Sequence, residues 1–147
     1  MLFRECFPNV ITPDVARNLS DLVGYLDFSD HIIQEIVQYV VQIVPAGTEP
    51  PSYVRVSDTN EGTPWHDDYG TASHMSWCEY SASILLTPPS EFTGGGFYFE
   101  DKPDDPVFHY CDLMIWSNAD RRNRHCVARS RGNRVVLLMF FQGVTDG

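Results

Sequence analysis

The stretch RHCVARSRGNRVVLLMFF, residues 124–141, is typical of two strands joined by a Gly-Asn turn. Side chains alternate between the two faces of a strand, so His125, Val127 and Arg129 share one face of the first strand. Arg134 opens the second strand, nine positions after His125. We therefore predict a strand that carries a histidine, a Gly-Asn turn, and a second strand that begins with an arginine.

The composition favours a folded, acidic protein. The chain has 147 residues, 43% of them hydrophobic, which suits a single domain spanning 1–147 with one core. The net charge of −10 disfavours both nucleic acid and anionic membranes as partners, because like charges repel. Six of the ten basic residues nevertheless fall in one stretch, and we expect acids such as Asp112 and Asp120 to pair with them. These six are Arg121, Arg122, Arg124, Arg129, Arg131 and Arg134.

Several features indicate a cytoplasmic protein that does not enter membranes. The N-terminal sequence MLFRECFPNV lacks the basic and apolar regions of a signal peptide. The longest apolar candidate, IIQEIVQYVVQIV, is interrupted by Gln and Glu and is too short for a membrane span. Cys6, Cys78, Cys111 and Cys126 are widely spaced, which favours reduced thiols. Two disulfides in a secreted protein are the alternative.

Two helices are predicted in the first third of the chain. Thr12 is a natural N-cap for ITPDVARNLSDLVGYL, and Pro13 suits the first helical position. Ser29 is a candidate N-cap for a second helix, which Pro45 would end. Each helix has one apolar face, formed by Val15, Leu19, Leu22, Val23 and Leu26 in the first and by Ile33, Ile36, Val37, Val40, Val41 and Val44 in the second.

From about residue 50 onward, short β-branched and aromatic runs alternate with Gly, Pro, Asn and Asp. About eight strands are expected, near 52–57, 63–68, 81–87, 96–100, 106–110, 112–116, 124–129 and 134–142. Two helices followed by this many strands predict a mainly β fold, a sandwich or jelly roll with helices on one face.

The sequence PWHDDYG, residues 64–70, places one histidine before two aspartates. If it ends a strand, alternation puts His66 and Asp68 on one face and Asp67 on the other. An imidazole and a carboxylate presented together can bind a metal or transfer protons. The alternative is a surface or core histidine beside acids that solvate a loop.

A third metal ligand is available in His125. Two histidines and one carboxylate form the facial triad of non-haem Fe(II) oxygenases, which leaves coordination positions open. Arg134 can hold a carboxylate with two parallel hydrogen bonds, as a dicarboxylate cosubstrate requires. His66, Asp68, His125 and Arg134 together therefore favour an iron site with an arginine for a cosubstrate.

Four motifs resemble those of the Fe(II)/2-oxoglutarate-dependent dioxygenases, and within them the prolyl 4-hydroxylase group. They are HDD at 66–68, FTGGGFYF at 92–99, DRRNRHCV at 120–127 and RGNRVVLL at 131–138. WSNADRRNRHCV is similar to the matching part of the prolyl hydroxylases that act on hypoxia-inducible factor. The N-terminal FPNVITPDVARNL also resembles the helix that precedes the family's barrel.

The resemblance implies a double-stranded β-helix (jelly-roll) core at about 50–143, preceded by helices at about 12–44. It also implies the roles of four residues: His66, Asp68 and His125 as catalytic iron ligands, and Arg134 as the residue that binds the far carboxylate of 2-oxoglutarate. Gly94 and Gly95 match the family's Gly-Gly strand, where a missing Cβ lets backbone approach closely.

The activity implied by the resemblance is hydroxylation of a C–H bond, with succinate and carbon dioxide as co-products. The implied substrate is a prolyl residue of a peptide or protein partner. Fe(II) is the implied metal, 2-oxoglutarate and dioxygen are the implied cosubstrates, and ascorbate is the implied supporting reductant.

Three alternatives are open. The first is the same chemistry on a free amino acid, nucleobase or small metabolite. The second is a zinc enzyme that hydrolyses or isomerises, which Arg134 disfavours because hydrolysis needs no dicarboxylate anchor. The third is a non-catalytic jelly-roll binding module, which the intact His66, Asp68 and His125 disfavour.

Five other residues are expected to have structural roles or none. His31 is predicted to be exposed in the first turn of the second helix, and His109 to be structural in a short strand. Trp65 and Trp116 are expected to pack in the barrel. Cys126 should point away from the proposed site, as a core residue.

Two segments flank the His-x-Asp strand and are candidates for a lid over the site, namely 57–65 and 69–79. His74 and Trp77 lie in the second segment. Trp77 is the better candidate for contact with substrate.

Overall fold

The computed structural model of the protein describes residues 3–24, 31–44, 53–68 and 78–142. Helix α1 spans Pro13–Ser20, and helix α2 spans His31–Ile43. Ten strands lie in the described part of the chain: β1 Arg4–Phe7, β2 Tyr53–Asp58, β3 Thr63–His66, β4 Cys78–Leu85, β5 Phe92–Gly94, β6 Phe97–Phe99, β7 Leu113–Ser117, β8 His125–Val127, β9 Ser130–Gly132 and β10 Val135–Gln142.

The strands form two facing layers. The larger layer is a five-stranded sheet in the order β1-β7-β4-β10-β2. The smaller layer contains a three-stranded sheet, β3-β8-β6, and β5 pairs separately with β9. All of these strand pairings are antiparallel. The prediction of a mainly β fold with N-terminal helices is confirmed.

The five-stranded sheet is covered on both faces, since alternate residues of β4 point in opposite directions. Ala82 and Ile84 belong to the main core, together with Leu19 of α1 and Val40 of α2. The serines Ser81 and Ser83, by contrast, point toward the smaller sheet, where Trp116 of β7 packs with Phe97 and Phe99 of β6. A polar site can therefore lie between the two layers.

The predicted start of the first helix is confirmed, but its predicted end is wrong. Thr12 caps the helix, and its side chain accepts a hydrogen bond from the Val15 N–H at 3.2 Å. The helix ends at Ser20, and Gly24 has a φ of +83°, which breaks helical geometry. Val23 is therefore exposed instead of lying on the apolar face. Neither described helix is long and apolar enough to cross a membrane.

Seven of the eight predicted strands are present, with ends that differ by up to three residues. The prediction of a strand at 106–110 is wrong, because only isolated bridges at Val107 and Tyr110 form there. Three short strands were missed, namely β1, β5 and β9. Because β1 pairs with β7, the core sheet extends outside the predicted range of 50–143.

The stretch 124–141 does not form a hairpin. Its first part, β8, pairs with β3 and β6 in the smaller sheet, whereas β10 lies between β4 and β2 in the larger one. His125 and Arg134 therefore approach one cavity from opposite layers.

The structure describes one of the two segments that were expected to form a lid, but little of the other. Residues 57–65 contain the end of β2 and most of β3, and only 59–62 lie outside these strands as a connecting turn. Thr59 and Asn60 in the connecting turn both hydrogen bond to residue 134, which fixes this turn to the barrel. Most of 69–79, including His74 and Trp77, lies outside the described residues.

Candidate metal centre

Three side chains from two adjacent strands converge at one point. His66 ends β3 and lies opposite His125, the first residue of β8. Asp68 follows two positions after His66, and its Oδ1 is 3.4 Å from His66 Nε2 and 3.5 Å from His125 Nε2. The three possible ligand atoms lie within 4.8 Å of one another. This arrangement can hold one metal ion.

Backbone carbonyls fix the tautomers of both histidines. His66 Nδ1 is 2.8 Å from the Pro64 carbonyl, and His125 Nδ1 is 2.9 Å from the Asn123 carbonyl. A carbonyl oxygen only accepts, so each Nδ1 must carry the proton and donate it. When the ring is neutral, each histidine would then present an Nε2 lone pair on the side of Asp68, which is the form that binds a metal.

The charges at this point favour an ionised carboxylate beside a cation. Burial opposes ionisation of Asp68, but hydrogen bonds from His125 and His66 outweigh it and hold the pKa of this carboxyl well below its usual range. Burial also opposes a charged His66, yet the hydrogen bond with Asp68 outweighs it and raises the pKa of His66. A divalent cation would take the place of these protons between the same atoms.

Arg134 lies in the same cavity as a buried cation, with 1% of its surface exposed. Its Nε donates to the Gly95 carbonyl at 2.8 Å and its Nη1 to Thr59 Oγ1 at 2.5 Å. Its Nη2 is buried and has no hydrogen-bond partner in the described residues. No carboxylate pairs with Arg134 in that part of the chain, and burial lowers its pKa to about 10. An anion placed against Nη2 would satisfy both the charge and the donor.

The cavity has a volume of about 120 Å³ and joins the metal-binding cluster to Arg134. Its lining includes His66, Asp68, His125, Arg134, Thr59, Thr63 and Ser83, and the apolar side chains Phe97, Trp116, Val127, Val136, Leu138 and Phe140. Apolar walls exclude water and strengthen electrostatic interactions inside. A small molecule with a metal-binding end and an anionic end would match this cavity.

The structure separates the two aspartates of the HDD motif. Asp68 is buried in the cluster, whereas Asp67 is partly exposed and lies outside the cavity lining. Strand β3 ends at His66, so the prediction that a regular strand carries both residues is wrong. The turn after β3 nevertheless brings Asp68 back to the same side as His66.

The structural roles predicted for five other residues are confirmed for some of them and wrong for others. Trp116 is buried as predicted, but Trp65 is 39% exposed, so its predicted packing in the barrel is wrong. His31 is exposed beside Glu35. His109 is buried and lies 2.9 Å from Ser83 Oγ, although not in a strand. Cys126 is only partly buried, so it is not a core residue.

Two arginines of the arginine-rich stretch pair with nearby acids. Arg122 pairs with Asp120 at 2.5 Å, as predicted, and Arg124 pairs with Glu100 at 2.9 Å. Asp112 forms no ion pair with these arginines in the described part of the chain, and its Oδ1 accepts a hydrogen bond from the Asn9 N–H.

Sequence reasoning missed two residues of this site. Ser81 donates a hydrogen bond to Asp68, and Thr59 accepts one from Arg134. The alternation in SASIL, which places Ser81 and Ser83 on one face of a buried strand and Ala82 and Ile84 on the other, is the signal that could have indicated Ser81. Thr59 has no such signal, because its partner is distant in sequence.

No protein-family model matches the sequence, and a search of curated proteins finds no match. Solved structures do match. The protein is similar to a viral collagen prolyl hydroxylase from Paramecium bursaria Chlorella virus-1, solved as a 2OG complex, with a TM-score of 0.76, 10% identity and 97% of each chain covered. The fold is that of the prolyl hydroxylases.

Two further structures agree with this fold. A prolyl-4-hydroxylase from Pseudomonas putida matches with a TM-score of 0.72 and 14% identity, over 97% of this chain and 93% of that one. A Trichoplax adhaerens prolyl hydroxylase, in complex with a peptide fragment of the hypoxia-inducible factor oxygen degradation domain, matches with a TM-score of 0.68 and 14% identity, over 95% and 83%. The predicted jelly-roll core is therefore confirmed.

Proposed function

We propose that the protein is an Fe(II)- and 2-oxoglutarate-dependent oxygenase that hydroxylates a prolyl residue of a peptide or protein. The observation that carries this proposal is Arg134, a buried guanidinium with no acidic partner among the described residues, in the same small cavity as the His-Asp-His cluster. A buried charge without a partner is costly, so its presence indicates an anionic ligand.

The donor set fits Fe(II). His66 and His125 offer imidazole nitrogens, and Asp68 offers one carboxylate oxygen, which is the combination found in facial-triad iron sites. When bound, Fe(II) supplies the oxidative chemistry in which 2-oxoglutarate and dioxygen give succinate and carbon dioxide, and the second oxygen atom enters the substrate. Because the protein supplies three ligands, the metal ion would keep coordination positions for the cosubstrate.

The protein's own residues would bind and orient the cosubstrate. Arg134 would hold the far carboxylate of 2-oxoglutarate, and Nη2 is the donor left available for it. Gly95 and Thr59 fix the guanidinium through its other nitrogens, so little side-chain entropy is lost on binding. The apolar walls, such as Phe97 and Leu138, would exclude water during the reaction.

Two observations support a peptide substrate. One of the structures of the same fold is a prolyl hydroxylase in complex with a peptide. The net charge of −10 also disfavours polyanions, whose binding depends on neutralising phosphates with Lys and Arg. A prolyl residue presents its C–H bonds on a ring of fixed φ, so little conformational entropy is lost in placing it.

The test is mass spectrometry of proline-containing peptides incubated with the protein, Fe(II), ascorbate and 2-oxoglutarate. We expect one added oxygen atom on a prolyl residue, with succinate formed in equal amount. An Asp68→Ala variant is the control and should give neither product. Release of succinate with hydroxylation of a free amino acid or nucleoside, and not of any prolyl peptide, would overturn the substrate assignment. Failure of wild type to bind 2-oxoglutarate in the presence of metal would overturn the proposed chemistry.

A further inference from the structure

The two oxygens of Asp68 have different surroundings. Oδ1 faces both metal-binding nitrogens, at 3.4 Å from His66 Nε2 and 3.5 Å from His125 Nε2. Oδ2 instead accepts a hydrogen bond of 2.5 Å from the hydroxyl of Ser81 on β4. Asp68 follows the smaller sheet and Ser81 belongs to the larger one, so this hydrogen bond joins the two layers.

Asn118 determines where the Ser81 proton points. The Nδ2 of Asn118 lies 2.9 Å from Ser81 Oγ and 3.3 Å from the Cys78 carbonyl. The carbonyl only accepts, so the amide nitrogen and not the amide oxygen must face it. Ser81 therefore receives a hydrogen bond from Asn118, and its own proton is directed to Asp68 Oδ2.

This chain of hydrogen bonds is shielded from water. Ser81, Asn118 and Cys78 are all buried, and Asp68 is buried at its end. A hydrogen bond to a charged acceptor is stronger than one between neutral groups, and in a buried site water does not compete for it. Rotation of the Asp68 carboxylate away from this position would break the hydrogen bond with Ser81, so the observed orientation is favoured.

We propose that Ser81, itself oriented by Asn118, is a positioning residue that directs Asp68 Oδ1 to the metal and keeps Oδ2 off it. The inference rests on the proposed function, because it assumes a metal at the His-Asp-His cluster. A carboxylate that binds through one oxygen occupies one coordination position. Ser81 thereby preserves a position that a two-oxygen Asp68 would fill.

The test is metal affinity, measured without turnover. Mn(II) is titrated calorimetrically into metal-free wild type and into Ser81→Ala, in the absence of 2-oxoglutarate and dioxygen. Loss of a residue that orients a ligand typically weakens metal binding about 10- to 100-fold, and we expect a loss of that size here. Ser81→Thr keeps the hydroxyl and should restore most of the affinity.

Three further variants separate positioning from folding. Ser117→Ala removes a hydroxyl from the neighbouring strand β7, outside the chain of hydrogen bonds, and should leave Mn(II) affinity unchanged. Asn118→Leu no longer directs the Ser81 proton and should weaken Mn(II) binding in the same direction as Ser81→Ala. If Ser81→Ala does not fold, Ser81→Cys takes its place, since a thiol is a weaker donor of similar size.

The outcomes distinguish the inference from the proposed function. Mn(II) affinity equal to wild type in a folded Ser81→Ala or Ser81→Cys variant would overturn the inference and leave the proposed function intact. No Mn(II) binding by wild type at the cluster would overturn the proposed function itself. Weaker affinity in Ser81→Ala, with recovery in Ser81→Thr and no effect of Ser117→Ala, would support the role of Ser81.

Discussion

Gly95 lies directly against the side chain of Arg134. Its carbonyl accepts a hydrogen bond from Arg134 Nε at 2.8 Å, and a Cβ on Gly95 would lie 2.8 Å from Arg134 Cδ and 3.1 Å from Nε. Its φ of +74° is in the left-handed region, which favours glycine. The Gly-Gly motif therefore provides the space and the acceptor that hold the arginine in the cavity.

Gly95→Ala should displace Arg134 and weaken 2-oxoglutarate binding. The left-handed backbone should also cost about 1–3 kcal/mol of unfolding free energy. Gly24→Ala is a matched control, because Gly24 has a similar φ of +83° but nothing within 4 Å of its added Cβ. Both variants should be less stable in chemical denaturation, and only Gly95→Ala should lose affinity in calorimetric titration with 2-oxoglutarate. Equal affinity in the two variants would contradict the prediction.

Arg134→Ala should weaken 2-oxoglutarate binding by about 2–5 kcal/mol, because a buried, hydrogen-bonded charge pair is lost. The same substitution should lower the free energy of unfolding of the ligand-free protein by far less than it lowers the free energy of 2-oxoglutarate binding, since the guanidinium has no acidic partner among the described residues. Arg134→Lys should recover only part of the affinity, because an ammonium cannot form two parallel hydrogen bonds. The measurement is titration with 2-oxoglutarate in the presence of Mn(II).

A suitable control for Arg134 is Arg131→Ala, which removes the same charge from an exposed position on β9. We expect its 2-oxoglutarate affinity to equal that of wild type. If both variants lose affinity to the same degree, the effect is one of overall charge and not of a specific contact.

Removal of any cluster residue, in His66→Ala, Asp68→Ala or His125→Ala, should abolish 2-oxoglutarate turnover and greatly weaken Mn(II) binding, since each supplies one ligand atom. Asp67→Ala should keep most activity, because Asp67 does not line the cavity. Calorimetry with Mn(II) and succinate formation measure the two effects. Inactivation by Asp67→Ala together with an active Asp68→Ala would mean that the ligand is misassigned.

His109 should make the protein sensitive to mild acid. Burial, and secondarily the charge of Arg134, lowers the pKa of His109 to about 3 from an ordinary 6.5. Between pH 3 and 6.5 the unfolded chain binds a proton at His109 that the folded protein does not. The contribution of His109 to the free energy of unfolding is therefore fully present above pH 6.5 and is lost as the pH decreases toward 3. The expected slope is up to about 1.4 kcal/mol per pH unit.

The comparison for His109 is His109→Gln, which can still hydrogen bond to Ser83 but does not titrate. Urea unfolding at several pH values between 4 and 7 should give a steeper loss of stability in wild type than in this variant. If the free energy of unfolding falls with decreasing pH equally in wild type and His109→Gln, His109 is not the group that causes the loss of stability.

The sequence by itself determined the elements whose signals are local. Thr12 and Pro13 predict the start of α1 because capping involves only neighbouring residues, and Val15 N–H does bond to Thr12. Residue type and spacing also singled out His66, Asp68, His125 and Arg134, because few side chains can bind a metal or a carboxylate. The alternation of strands and turns indicated a sandwich or jelly roll, and the resemblance of the four motifs to a known family implied the jelly roll.

Tertiary structure alone decided how these groups face one another. Strand β1 has little strand signal of its own and forms because β7 offers it an edge to pair with. The direction of Asp68 depends on Ser81 from the opposite layer. That Arg134 Nη2 has no partner among the described residues is visible only when its surroundings are known. Such contacts join residues distant in the chain, so no local pattern encodes them, and only packing of the two sheets brings them together.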